Sequence, residues 1–145
     1  MPRALVDTTV LFAAAYSRDG AHDEGLEILH GIDTAGLPEA VVLDYVLAET
    51  LNGLTTHAGH ESAVDFLDRL EENTRFHIDS LTADTLATAK ALFRQYERFS
   101  FVDACIVAYR GCHRKRHTRR RRMLELCLRA PASCKRRLLS TSSSM

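Results

Sequence analysis

Leu5-Val6-Asp7-Thr8-Thr9-Val10-Leu11 is the stretch on which the reading of this chain turns. A short apolar run over 4–6 predicts a buried strand. It ends on a carboxylate, and the next residues open an apolar helix over 9–16. A strand that stops on an acid and turns at once into a helix is how an α/β unit begins. In a parallel sheet, loops at the carboxyl ends of the strands diverge and leave a crevice where ligand sites gather. Asp7 is therefore a candidate site residue, and it is equally suited to cap the helix that follows. Thr8 or Thr9 would orient Asp7 or a bound water, while Thr9 also serves as a helix start.

Downstream the same alternation repeats. A helix is predicted over 21–32, with Leu26, Ile28, Leu29 and Ile32 on one broad face. Gly36-Leu37-Pro38 breaks it, and residues 40–43 form a second buried strand. Asp44 is placed as the N-cap of a helix carrying Val46, Leu47, Leu51 and Leu54. His57-Ala58-Gly59-His60 separates that helix from another over 61–72. The alternating residues 76–81 make a third strand, 84–96 a helix, and Ser100 opens a last apolar helix through Val102, Ile106, Val107 and Tyr109. Strands alternating with helices imply an α/β domain with a mostly parallel sheet. Such a sheet would normally gain another strand after this last helix, and nothing beyond residue 110 supplies one.

The formal net charge of zero conceals a division. Residues 1–109 hold 7 Lys and Arg against 18 Asp and Glu, and residues 110–145 hold 12 against Glu125 alone, so the two parts carry −11 and +11. The expected organisation is a domain over 1–109, incomplete in its last strand, and a basic, low-complexity tail over 110–145 that is disordered or non-native. We expect that the reading frame departs from the ancestral one near Tyr109 or Arg110, because Asp codons read one position out of frame can become Arg codons. All four cysteines, Cys105, Cys112, Cys127 and Cys134, lie past residue 104, which argues against a disulfide framework. Their spacing with His113 and His117 lacks the paired knuckles of a zinc module. No apolar run approaches the roughly 18–20 residues that cross a bilayer. A carboxylate at position 7 interrupts any signal-peptide core. A cytoplasmic protein without a membrane partner is expected.

Two more acids stand out. Glu49 lies five residues beyond Asp44 on the same helix, and Asp103 lies in the first turn of the last helix. Each has a bland alternative: Glu49 as a solvated helix residue, Asp103 as the N3 acid of a capping box with Ser100. Brought together, three carboxylates make a hard oxygen-lined site suited to Mg²⁺ or Mn²⁺. Such ions activate water and stabilise charge on a phosphate under in-line attack.

Leu5-Val6-Asp7-Thr8-Thr9-Val10-Leu11, Val46-Leu47-Ala48-Glu49-Thr50-Leu51-Asn52 and Ser100-Phe101-Val102-Asp103-Ala104-Cys105-Ile106-Val107-Ala108 resemble, in order, the acidic motifs of PIN domains, the ribonuclease fold of VapC-type toxins. The resemblance covers residues 1–109. It implies a three-layer α/β/α sandwich and hydrolysis of RNA phosphodiester bonds with Mg²⁺ or Mn²⁺. It also implies that Asp7, Glu49 and Asp103 are catalytic, metal-holding carboxylates, that a small antitoxin protein is the partner, and that the chain forms a homodimer. The stretch Arg18-Asp19-Gly20-Ala21-His22-Asp23-Glu24 resembles the loop after the first helix in toxin-like members, with His22 either touching RNA or packing the first turn. His57 and His60 read as surface residues. The family's usual further strand with a Thr-x-Asp-like motif has no counterpart here, so no fourth ligand is assigned. The competing reading is a catalytically impaired PIN-like protein that acts only by binding antitoxin or nucleic acid, its Arg119–Arg122 run giving salt-sensitive phosphate contacts.

Overall fold

In the computed structural model, residues 3–116 are described. Three short strands, β1 (Arg3–Leu5), β2 (Glu39–Leu43) and β3 (Phe76–Asp79), lie parallel in the order β1-β2-β3. Arg3 pairs with Glu39 and Leu5 with Val41, and on the other side Ala40 pairs with Phe76 and Leu43 with Asp79. The central strand explains its own sequence. Ala40, Val41, Val42 and Leu43 are all buried, because both faces of a parallel sheet are covered by helices and leave no polar side. Among the described residues β1 pairs on one side only; it is three residues long and opens on exposed Arg3.

Two helices separate each pair of strands: α1 (Thr8–Ala15) and α2 (His22–Asp33) between β1 and β2, α3 (Asp44–Ala58) and α4 (His60–Glu72) between β2 and β3. Both crossovers advance the sheet in the same direction, so the right-handed rule puts their helices on one face. The hairpin of α5 (Ala83–Gln95) and α6 (Phe101–Arg116) supplies the other layer. The expected three-layer α/β/α sandwich with a parallel sheet is what forms. The core joins Val6, Val10 and Leu11 to Leu29, Ile32, the β2 residues, Val46, Leu54, Phe66 and Leu70. Gly59, at φ +94°, turns the chain from α3 into α4 where an L side chain would be strained.

Some boundaries differ from expectation. Asp44 is the first residue of α3 rather than its cap, which is Leu43, and its Oδ1 accepts from the backbone N–H of Tyr45 at 2.9 Å. β3 stops at Asp79 instead of running to residue 81, where the Asp79 carboxylate turns back onto the N–H of Ser80. The boundary drawn at residue 109 falls inside α6, which continues to Arg116. Among the described residues no strand follows α6. The Arg119–Arg122 run, Cys127, Cys134 and the serine-rich end lie outside the described residues. Among those described, no helix is long and apolar enough to cross a membrane.

Candidate active site

Because the strands are parallel, Asp7, Asp44 and Asp79 all stand at the carboxyl end of the sheet. Asp7 follows β1, whose pairing continues as the N–H of Val6 donates to the carbonyl of Val41 at 3.0 Å. Asp44 follows β2, and Asp79 closes β3. At the opposite end Glu39 gathers basic side chains: Arg3 at 3.6 Å, Arg75 at 3.9 Å and His77 at 2.8 Å. That company, the His77 hydrogen bond first, holds the Glu39 carboxyl below its ordinary range.

Helix α6 is laid across the carboxyl ends. Asp103 sits near enough to Asp7 to raise its pKa. Two residues on, burial and then the Asp44 charge push the Cys105 thiol up to about 11. Farther along, the Tyr109 hydroxyl donates to Asp79 Oδ2 at 2.6 Å, and burial together with that carboxylate keeps the phenol protonated well above its usual range. Residues 103, 105 and 109 thus meet the ends of β1, β2 and β3 in turn. Six residues of helix span roughly 9 Å, which matches two strand spacings of about 4.8 Å each.

The three sequence-predicted acids are held by short polar residues. Asp7 caps α1: its Oδ1 accepts from the N–H of Thr8 at 2.7 Å and its Oδ2 from the Thr9 hydroxyl at 3.2 Å. The Thr8 hydroxyl donates to Glu49 Oε2 at 2.6 Å, tying the start of α1 to a residue 41 positions later on α3. Asp103 Oδ2 accepts from the N–H of Ser100 at 3.0 Å, while the N–H of Asp103 donates to Ser100 Oγ at 3.1 Å, the reciprocal capping box. The capping roles expected as alternatives for Asp7 and Asp103 therefore hold. A carboxylate has about four lone-pair positions, so one or two capping bonds leave room for further ligands.

The Asp7 carboxyl is raised above the ordinary 3.8, first by burial, then by the charges of Asp103 and Glu49, against hydrogen bonds from Thr8 and Thr9 that pull the other way. An anion made unfavourable by burial and like neighbours is one that a cation stabilises. Among the described residues, however, no three His, Cys, Asp or Glu side chains converge closely enough to hold an ion as they stand. The donor set nonetheless fits a hard cation. Mg²⁺ keeps several waters and is held by one or two carboxylates, so acids a water's width apart can share it.

Other candidates fall elsewhere. His22 bonds through Nδ1 to the carbonyl of Ala13 at 2.7 Å and so packs the α1–α2 turn. His57 is exposed but not idle, since its ring meets Phe12 and Tyr16. Asp44 and Asp79 were not singled out as part of this face. Their signal was present, because Leu43-Asp44 repeats after β2 the strand-then-acid text of Val6-Asp7 after β1.

Residues 4–109 match the PIN domain family. Among solved structures, the chain is similar to VapC20 of Mycobacterium tuberculosis, described as a sarcin–ricin-loop-cleaving toxin. The two are 27% identical with a TM-score of 0.64 over 76% of this chain and 82% of that one. VapBC2 from Rickettsia felis bound to a promoter DNA fragment is 18% identical at a TM-score of 0.54, covering 77% and 83%. A toxin–antitoxin complex from Klebsiella pneumoniae is 22% identical at a TM-score of 0.50, covering 77% and 80%, and these last two show likeness of fold alone. No curated protein matches the chain. With well over half of its length matched, the chain belongs to the PIN domain family.

Proposed function

We propose that this protein is a metal-dependent endoribonuclease, the toxin of a toxin–antitoxin pair, acting in the cytoplasm on RNA with Asp7, Glu49 and Asp103 as its metal-holding, catalytic carboxylates. One observation carries the reading: the Thr8 hydroxyl joins the Asp7 cap to Glu49 at 2.6 Å, while Asp103 stands within electrostatic reach of the same carboxylate. Acids from three separate motifs share the crevice end of a parallel sheet.

Each side chain has a role in that reading. Asp7, buried deepest, is fixed by Thr8 and Thr9. Glu49 is held in rotamer by Thr8, and Asp103 by Ser100. These bonds settle the acids before substrate arrives, which lowers the reorganisation needed in the transition state. A bound Mg²⁺ or Mn²⁺ would supply a water of lowered pKa and a counter-charge for the phosphate. RNA is the substrate class, and the sarcin–ricin loop cut by the Mycobacterium tuberculosis relative is the first target to try. A small antitoxin and a second copy of the chain complete the set of partners.

A second reading, binding without cleavage, is favoured by the spread of the acids, since no three of the described side chains close on one point. Purified full-length protein with Mn²⁺ on RNA containing a sarcin–ricin loop, beside Asp7→Asn, decides between them. Metal-dependent cleavage lost in the variant supports the nuclease. Folded protein that binds RNA but leaves it intact supports the second reading. Equal cleavage by both proteins removes Asp7 from the site.

A further inference from the structure

Helices α1 and α3 run side by side away from the acids, and their contacts recur at four-residue steps. Thr8 meets Glu49 through a hydrogen bond of 2.6 Å. One turn on, Phe12 lies so close over Gly53 that a Cβ there would sit 3.1 Å from Phe12 Cε2. One turn farther, Tyr16 and His57 face each other with ring centroids 5.9 Å apart, and Phe12 is 5.3 Å from Tyr16 and 5.8 Å from His57. The first rung is polar and belongs to the acid site. The second and third are an aromatic trio of which Phe12 and Tyr16 are half-buried and His57 is exposed. Gly53 lets the Phe12 ring approach α3 closely, and the Asp19 turn, with the N–H of Asp19 on the carbonyl of Tyr16 at 3.0 Å, anchors the chain just after Tyr16.

We propose that Phe12, Tyr16 and His57 form a nucleobase subsite that receives a base one or two nucleotides from the phosphate held over Asp7 and Glu49. The inference rests on the ribonuclease reading and adds to it where the substrate strand runs. Spacing supports it: four residues of helix advance about 6 Å, close to the reach of one nucleotide along an unstacked strand, so the trio lies about 6–12 Å from the acids along the seam. Chemistry supports it too. The described domain is strongly acidic and attracts RNA poorly at long range, so affinity near the site must come from contacts other than charge. Stacking on aromatic rings is such a contact, and it accepts any base because every base has a π face. Mixed ring angles of 46°, 78° and 42° make the trio an open corner rather than a closed stack.

The test uses the full chain and a single-stranded RNA of roughly 12 nucleotides carrying one 2-aminopurine, moved position by position, in EDTA so that no cleavage occurs. Quenching at one or two adjacent positions is expected. An abasic residue there should weaken binding roughly tenfold, and the Tyr16→Leu/His57→Leu double variant should lose both the quench and the abasic effect. Tyr16→Phe, which keeps the ring, should retain them, and it is the loss of the abasic effect in the folded double variant that separates stacking from a packing role. The same RNA with Mn²⁺ then reads cleavage separately. Cleavage without position-specific quenching overturns the subsite and leaves the nuclease standing. Quenching without cleavage keeps the subsite and overturns the catalytic reading. RNA that binds equally well with and without the base, or variants that change self-association in sedimentation rather than RNA affinity, make the seam a protein-facing surface and overturn the proposal.

Discussion

Gly25→Ala tests whether the close crossing of α1 and α2 positions the site. Gly25 is buried within α2, and a Cβ built on it would lie 2.6 Å from the backbone N of Ala14 and 3.1 Å from the carbonyl carbon of Ala13. Those are backbone atoms and cannot swing away. Restoring ordinary contact at about 3.4 Å means parting the helices by roughly 0.8 Å. Overpacking of this kind costs about 1–3 kcal/mol. Alanine in a helix interior returns about 1 kcal/mol over glycine. The balance is a loss of up to about 2 kcal/mol, seen as a lower urea midpoint with an unchanged slope. Gly111→Ala provides the control: it lies in α6 with nothing within 4 Å among the described residues, so it should stabilise by up to about 1 kcal/mol. Gly31→Ala falls between, because its added Cβ meets the movable end of the Leu37 side chain at 2.8 Å. Since α1 carries the Asp7 cap, Thr8 and Thr9, its displacement should also lower cleavage, by up to about a hundredfold for a shift near 1 Å. If Gly25→Ala proves as stabilising as Gly111→Ala, the close crossing is wrong and so is the idea that it sets the position of Asp7.

Asp7→Asn should stabilise the metal-free protein near neutral pH, since asparagine keeps the cap while removing a charge that burial and like neighbours disfavour. The folded carboxyl is raised, so the native state holds more protons than the unfolded chain above 3.8 and stability falls as pH climbs through that window. The thermal midpoint of the variant should therefore exceed the parent's at pH 7 and approach it below 3.8, and a parent that is the more stable at pH 7 without metal refutes the sign. Tyr109→Phe removes the donor to Asp79 and should lower stability by about 1 kcal/mol in urea titration, with no loss if that bond is idle. Cys105, fully buried with its thiol pushed up to about 11, should resist iodoacetamide at pH 8 until the protein is denatured, whereas labelling of the native protein at Cys105 contradicts its burial.

Much of this was legible because burial writes itself into composition. The apolar run 40–43 read as a buried strand, and the amphipathic spacing of Leu26, Leu29 and Ile32 or of Val46 and Leu54 placed the helices to within a residue or two. Asp7 was legible because it stands where an apolar run stops. Distance across the sequence was not. Nothing local to Thr8 says that its hydroxyl reaches Glu49, since that contact depends on the angle at which α1 packs on α3. The order in which 103, 105 and 109 meet the strand ends is likewise a tertiary fact. Asp79 escaped because apolar alternation continues to Leu81 in the text, while in the fold its carboxylate is drawn off by Tyr109 and by the N–H of Ser80. His57 was read as a surface residue from its loop neighbours, and its exposure agrees, but its ring contacts come from a helix more than forty residues earlier.

The change of charge at residue 110 then takes on a structural meaning. Helix α6 is pinned by the buried residues Ala104, Cys105, Ala108 and Tyr109, with Ala89 of α5 beneath them. The Tyr109–Asp79 bond closes this buried stripe, and the family match also ends at residue 109. Immediately afterwards the helix is less buried but still touches α5: Arg110, Cys112 and His113 are half-buried, Gly111 is exposed, and the Thr85 hydroxyl lies 3.4 Å from Cys112 Sγ. The basic text therefore begins one residue after the last buried residue of α6 among those described. An altered composition there can change net charge, solubility and the attraction of RNA without moving the turn that carries Asp103, since that turn is fixed by Ser100 from one side and by the buried stripe from the other. Among the described residues the three acids are thus held by contacts within residues 7–109, and the effect of the tail on activity should be electrostatic and sensitive to salt rather than geometric.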